Sequence, residues 1–360
     1  MTTNIDYGDL KDGLIIEYAK RKLASEKKAV AASIREIEQS VSLPVVKSLH
    51  TLSNCLARYD DPNALDKALD AIDLANIYEN VERRERESTN PALSYDDFVV
   101  LELLRYFKHD FFKWVNSPSC QCGSSEVVNS GIKRPDPSNN PDEISIIEVY
   151  RCQKCNQYVE FARINNPVSL LSTRLGRCGE WVNCFLLILT ALIGDGKDRI
   201  RYVWNNEDHV WCEYYSFGLK KWVHLDPCEG VFDEPLLYCE NWGKRMSYVI
   251  GFNKYSVVDL SKKYITKAKQ IKQSDVVNPT KVKNSIRFHN VKKADEYLAT
   301  ARSNKSENES WRLLYTDVFV PRSRELEDLG IAKPTPSLSD LPKGRQTGSA
   351  TWTQARDEDG

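Results

Sequence analysis

Histidine is scarce in this chain, with five in 360 residues, and net charge is nearly absent: 50 Lys and Arg stand against 51 Asp and Glu. A formal charge of −1 gives no overall field toward nucleic acid or an anionic membrane, so neither is expected as a partner. The first residues, Met1 to Asp6, offer no basic stretch followed by an apolar one, so no secretory signal is expected. The longest apolar run, Phe185 to Ile193, is too short to cross a bilayer. Internal repeats are missing too. These absences point to a cytoplasmic protein, with a nuclear location also open. They make the sequons at Asn304 and Asn308 uninformative. Against this background the 10 cysteines stand out. In a reducing compartment they are poor candidates for a disulfide framework, which leaves metal binding, catalysis or burial.

The pattern along the chain predicts an α+β fold. Residues 1–115 read as an N-terminal helical region, with Leu10, Leu14, Ile15, Tyr18 and Leu23 at helical spacing. A helix start is expected at Ser94 to Asp97, leading into an apolar helix from Phe98 to Trp114. Residues 116–164 form a cysteine-containing insert with a Pro/Asn/Asp-rich loop at its centre and short strands at Ile144–Tyr150 and Gln157–Ala162. Residues 165–260 predict a buried helix over Phe185–Ile193, then strands at Ile200–Trp204, His209–Ser216 and Lys221–Leu225, with a hairpin turn near Gly218. Residues 261–332 read as an extension that packs on this core. The Pro, Ser, Gly and charge of 333–360 read as a disordered tail.

Cys178 falls just before the apolar helix. A helix N-terminus favours a thiolate, and Gly176 and Gly179 permit close backbone approach. His209 and Asp226 follow in chain order. A thiol, an imidazole and a carboxylate are the parts of a nucleophile, its base and the group orienting the base. His224, two residues before Asp226, competes with His209 for the base. His209 is preferred because Asp226 then lies on the facing strand of a hairpin. Cys184, inside the apolar helix, reads as inert core.

The run Gly176-Arg177-Cys178-Gly179-Glu180-Trp181 with Asn183-Cys184-Phe185 resembles the nucleophile signature of the cytoplasmic peptide:N-glycanase family. Arg201-Tyr202-Val203-Trp204-Asn205, Asp208-His209-Val210-Trp211, Trp222-Val223-His224-Leu225-Asp226-Pro227-Cys228-Glu229 and Trp242 to Ile250 are similar to it in order. The resemblance spans about residues 95–260, and the chain's length is similar to the fungal form. It implies a transglutaminase-like, papain-like core and a cysteine amidase. Such an enzyme cuts the side-chain amide between Asn and N-acetylglucosamine of misfolded N-glycoproteins ahead of proteasomal degradation. Cys178 is then nucleophile, His209 base and acid, and Asp226 the orienting carboxylate. Arg201, Trp211, Glu213 and Trp222 match family positions near the reaction centre and are the sugar-binding candidates. Packing of the two tryptophans, and a local Arg201–Glu213 ion pair, compete with that role. By the same resemblance the partner is a shuttle receptor with ubiquitin-like and ubiquitin-associated domains, sought on the N-terminal helices.

Cys120, Cys122, Cys152 and Cys155 form two pairs on a polar insert, the composition of a closed structural zinc site. The family holds one structural zinc, usually with two Cys-x-x-Cys pairs. Here one residue separates Cys120 from Cys122. Either the shorter loop still chelates or Cys120 is displaced. A cysteine protease or cross-linking transglutaminase, and a non-enzymatic zinc adaptor, are the alternatives to the amidase.

Overall fold

The computed structural model describes residues 7–193, 198–330 and 335–360. Two units emerge. One comprises residues up to Cys55, Asn205–Glu207 and Arg245–Ala332. The other comprises Leu56–Trp204, Asp208–Lys244 and the C-terminal residues from Lys333. The helical region expected over 1–115 is therefore divided at Cys55.

The reason for that division lies in the first unit's packing. Helix α1 (Tyr7–Ser40) and α2 (Pro44–Leu52) lie against a long C-terminal helix rather than against the helices that follow them in sequence. In the second unit, α3 (Pro62–Asp70), α4 (Leu74–Glu87) and α5 (Tyr95–Tyr106) come next. Helix α5 starts where the sequence predicts. The backbone N–H of Ser94 donates to Asp97 Oδ2 at 2.7 Å, closing a capping box. It ends earlier than expected, in a wide turn over Phe107–Phe111. Lys113–Trp114 is then a strand, β1, instead of a last helical turn. Phe107, Phe111 and Phe112 are all buried, Phe107 against Trp181 and Phe185, Phe112 against Trp181 and Phe111 against Phe107, where the chain leaves helical geometry.

The insert is a three-stranded antiparallel sheet, β2 (Val127–Lys133), β3 (Ile144–Cys152) and β4 (Tyr158–Ile164). Strand β2 is exposed almost throughout, Val128 and Ile132 included, so it has no buried face for a hydrophobic pattern to mark. After α6 (Pro167–Thr173), β5 (Leu175–Gly176) pairs in parallel with β1, Trp114 opposite Gly176. The buried helix α7 runs Cys178–Leu192. Strands β6 (Ile200–Asn205), β7 (His209–Ser216), β8 (Lys221–Asp226) and β9 (Val231–Phe232) follow in that order, β7 and β8 as the predicted hairpin.

In the first unit β10 (Val249–Phe252) and β11 (Val257–Asp259) form an antiparallel pair. Two one-turn helices, α8 (Ser261–Tyr264) and α9 (Gln273–Val276), lead to α10 (Pro279–Arg302), α11 (Glu307–Leu313) and α12 (Val320–Asp328). Ala19 and Leu23 of α1 meet Ala294, Leu298, Leu314, Val318 and Phe319 in one apolar cluster. Leu10, Leu14 and Tyr18 of α1 stay exposed.

The segment expected to be a disordered tail is ordered from Thr335 on and includes α13 (Ala350–Gln354). Composition misleads there because few anchors do the work. Arg345 and Glu358 are buried and paired at 2.8 Å, and Glu358 also pairs with Lys244. Among the described residues no helix is long and apolar enough to cross a membrane.

Candidate active site and metal centre

Cys178 is the first residue of α7, with Arg177 in extended conformation before it. Glu180 reaches back to accept the Arg177 N–H at 3.1 Å. Gly176 owes its identity to this turn: a Cβ there would lie 2.3 Å from Glu180 Cβ, whereas at Gly179 nothing stands within 4 Å. The glycine expected to admit substrate at 176 thus serves internal packing.

His209 opens β7 and Asp226 closes β8, with Cys212 opposite Leu225 in the register between them. His209 Nε2 meets Asp226 Oδ2 at 3.0 Å, and both side chains are fully buried. Asp226 is held as a carboxylate by three further donors. Cys228 N and Glu229 N reach Oδ1 at 2.9 and 3.2 Å, and Tyr238 Oη reaches Oδ2 at 2.9 Å. Burial alone would raise its pKa, but the bond from His209 and the nearby cations hold it well below the carboxylate range.

The other imidazole nitrogen, Nδ1, is buried and engaged by no oxygen or nitrogen. Its neighbour in chemistry is the partly accessible Cys178. Burial would push the thiol pKa up. Hydrogen bonding and attraction from His209, then attraction from Arg345, bring it below its ordinary value. Burial would likewise lower the imidazole, and Asp226 and Cys178 raise it. The two shifts together favour a thiolate–imidazolium pair. His209 and Asp226 are thus directly bonded, and Cys178 lies near enough to His209 for each to shift the other's proton affinity.

His224 takes a different place. Its Nδ1 accepts Glu234 N–H at 3.2 Å, so Nε2 carries the proton and donates to Tyr238 Oη at 2.8 Å. Tyr238 in turn donates to Asp226. The competitor for the base is therefore the far end of a relay that supports Asp226. Tyr238 lacks a sequence signal: it sits in a wide helical turn, Leu237–Asn241, with no motif around it.

The four sugar-binding candidates divide. Trp211 is fully buried, its ring 4.2 Å from that of Tyr238 and 5.8 Å from that of His209. Arg201 and Glu213 form a buried ion pair at 2.7 Å, and the Arg201 guanidinium lies 3.8 Å from the centre of the half-buried Trp222 ring. Trp211, Arg201 and Glu213 offer no accessible face to a glycan. Their geometry is that of packing and a local ion pair beside the strand that opens on His209. Trp222 alone keeps partial access.

The four insert cysteines converge. Their sulfurs all lie within 4.8 Å of one another, with Cys120···Cys155 at 3.4 Å and Cys122···Cys152 at 3.6 Å. Tetrahedral thiolate ligation at ~2.3 Å puts sulfurs ~3.8 Å apart, so this cluster could hold a metal ion. The single-residue spacer does not displace Cys120. A tight turn, Gly123 N to Cys120 O at 2.9 Å with Gly123 at φ +81°, brings both thiols round. Backbone N–H groups of Cys155 and Lys154 lower the Cys152 thiol to about 6, which suits a metal ligand.

A charge network joins this insert to the nucleophile turn. Glu148 on β3 receives Arg177 at 3.0 and 2.8 Å and Arg163 at 3.2 Å, and Tyr150 Oη at 2.6 Å. Arg163 on β4 also grips Glu180 at 2.7 and 3.0 Å. None of these residues except Arg177 and Glu180 belongs to a recognisable sequence motif.

Comparison with known proteins agrees with this architecture. Residues 128–227 match the model of the transglutaminase-like superfamily, and residues 195–313 that of the Rad4 transglutaminase-like domain. A Candida albicans protein named peptide-N(4)-(N-acetyl-beta-glucosaminyl)asparagine amidase is 50% identical, covering 100% of this chain and 97% of its own. Proteins of the same name from Debaryomyces hansenii and Saccharomyces cerevisiae are 49% and 36% identical. Each covers 99% of this chain, with 97% and 98% of their own lengths matched. With identity of this order running end to end, the chain belongs to the peptide-N(4)-(N-acetyl-beta-glucosaminyl)asparagine amidase family, within the transglutaminase-like superfamily.

Proposed function

We propose that this protein hydrolyses the amide between Asn and N-acetylglucosamine in denatured N-glycoproteins, releasing the glycan and leaving Asp. The Cys178–His209–Asp226 constellation is the observation that carries this reading. The Cys178 thiolate attacks the side-chain amide carbon, forming a tetrahedral intermediate. His209, held by Asp226 in the tautomer that keeps Nδ1 toward the sulfur, gives its proton to the departing glycosylamine nitrogen. Neutral His209 then takes a proton from water, whose oxygen attacks the thioester. The thiol leaves, and the carboxyl of Asp remains.

Cys120, Cys122, Cys152 and Cys155 hold one structural zinc ion in this reading. The ion, when bound, fixes the turns that carry its ligands. A denatured substrate suits a scissile bond that must lie across a cleft floored by buried side chains. The exposed Leu10, Leu14 and Tyr18 of α1 support a contact there with a shuttle receptor bearing ubiquitin-like and ubiquitin-associated domains. Action ahead of proteasomal degradation, in the cytoplasm and the nucleus, follows from that partner. No nucleic-acid or membrane role is proposed.

Mass spectrometry of a denatured N-glycoprotein incubated with the protein tests this. Conversion of Asn to Asp at the sequon is expected, and Cys178→Ala should abolish it while the fold persists. Backbone fragments would instead indicate a protease, Gln–Lys cross-links a transglutaminase, and no change an adaptor.

A further inference from the structure

The C-terminal segment lies against the site from several sides. Gly344 N donates to Asn241 O at 3.2 Å, and Gly360 N to Trp242 O at 3.1 Å. The backbone N–H groups of Gln346 and Thr347 both donate to the Glu229 carboxylate at 3.1 Å, three residues beyond Asp226. Ser349 N donates to Asn116 Oδ1 at 2.9 Å. Arg356 binds Asp208, the residue before His209.

Arg345 is at the centre of these contacts. Its side chain is fully buried. Its guanidinium lies 5.0 Å from the ring centres of both Trp114 and Trp242, and 4.5 Å from that of Trp352. Trp114 and Trp242 belong to different elements near the site. Trp114 pairs with Gly176, two residues before the nucleophile. The Trp242 ring stands 5.1 Å from the imidazole of His209. Arg345 therefore touches the strand paired with Leu175–Gly176, just ahead of the thiol, and the ring packed on the base. Glu358 takes Nη1 at 2.8 Å and Thr347 takes Nε at 3.1 Å, while Nη2 meets no acceptor. Arg345 shares its one carboxylate, Glu358, with Lys244 and with Arg356, the last also paired with Asp208. So the cation is not fully neutralised locally, and in a dry, tryptophan-lined setting its field reaches further than it would in water.

We propose that the C-terminal segment is a wall of the active site and that Arg345 is a positioning residue, clamping Trp114 and Trp242 about the Cys178–His209 pair and setting a fixed positive charge beside it. The proposal rests on Cys178 being the nucleophile. A fixed cation favours the thiolate in the resting enzyme. It also favours the oxyanion that replaces the thiolate in the tetrahedral intermediate. It disfavours a lingering imidazolium, which promotes proton delivery to the leaving nitrogen.

The test is the pH dependence of Cys178 alkylation by iodoacetamide in the full chain, read on the peptide carrying Cys178, alongside kcat and KM on a glycopeptide. In Arg345→Ala the alkylation inflection should move upward, with the rate at neutral pH roughly tenfold lower, as loss of one nearby cation in a partly dry site implies. Turnover should fall with KM little changed. Arg345→Lys and Arg345→Gln separate charge from packing, and serve also if Arg345→Ala fails to fold. Lys should keep the inflection near wild type and Gln should not. An unshifted inflection in Gln, or faster alkylation and turnover in it, overturns the proposal. The latter would make the segment an obstruction. Alkylation reports the thiolate whatever the substrate is, so failure of the amidase reading shows separately, as intact glycopeptide with wild-type enzyme.

Discussion

Replacing Tyr238 with Phe removes one oxygen and little else. The ring of Tyr238 packs against Trp211, His209 and Trp242, at 4.2, 5.1 and 5.0 Å between centres, and Phe preserves those contacts. The hydroxyl accepts from His224 and donates to Asp226, all three side chains being fully buried. Its loss removes the 2.8 Å acceptor of His224 Nε2, whose Nδ1 already accepts Glu234 N–H. Loss of a buried hydrogen bond of this kind costs about 1–3 kcal/mol. Asp226 loses one of its four donors, a charge-assisted bond of about 1.5–3 kcal/mol. Some of that loss returns as a stronger bond from His209. The expected destabilisation is about 2–4 kcal/mol, a fall in Tm of several degrees. Denaturant unfolding measures it, and the Cys178 alkylation rate measures whether the imidazole is still correctly held. Because Asp226 keeps His209, Cys228 and Glu229 as donors, turnover should drop about tenfold and not vanish. A variant within 0.5 kcal/mol of wild type, with unchanged turnover, would refute the relay.

Three further outcomes follow from other parts of the molecule. Cys152→Ser should release the metal and unravel the insert, since structural zinc contributes on the order of 10 kcal/mol of apparent binding free energy; unchanged metal content and thermal stability would remove the site. Glu148→Gln strips the common partner of Arg163 and Arg177, so kcat should fall severalfold more than KM rises. Equal effects on both, or none, would show that the network does not hold the nucleophile turn. His289, bonded to His50 Nδ1 at 2.8 Å, is lowered to about 3 by burial and then by repulsion from His50, Lys293 and Lys292. The unfolded chain takes up that proton near pH 6.5 and the folded chain does not, so stability is full above that pH and declines as pH falls toward 3. Hydrogen exchange in α2 and α10 should accelerate over that window. His289→Gln should flatten the slope, and identical slopes in the two proteins would contradict this account.

Cys178, His209 and Asp226 were legible as candidates because each sits in its own dense local run, and the run dictates the element. Apolar residues after Cys178 make α7, and β-branched and aromatic residues around His209 and Asp226, buried on both faces, make the β7–β8 hairpin whose register brings the two together. The choice of His209 over His224 followed from that hairpin alone. The metal cluster was legible as four cysteines in two pairs, although only the turn at Gly123 decides that the shorter spacer still closes. Sequence could not separate a tryptophan that stacks on substrate from one that packs on a histidine, because burial at Trp211 is set by Tyr238, 27 residues away and outside any motif.

The C-terminal segment exposes a deeper limit. Its composition is that of a disordered chain because it holds few apolar residues of its own. Order comes from Arg345 and Glu358 being placed in a pocket built by Trp114, Trp242 and Lys244, residues roughly 100 to 230 positions earlier. A local window contains the guests of that pocket and none of its walls. The same asymmetry explains why Cys178 reads clearly and Arg345 does not. A nucleophile must be delivered by a regular element, whose pattern is periodic and local. A charge that tunes it needs only one side chain held by distant partners, and such a residue leaves no period behind. Charged residues in a tail of low apparent order, next to a site lined by tryptophans, are therefore where supporting groups should be sought once the walls are known.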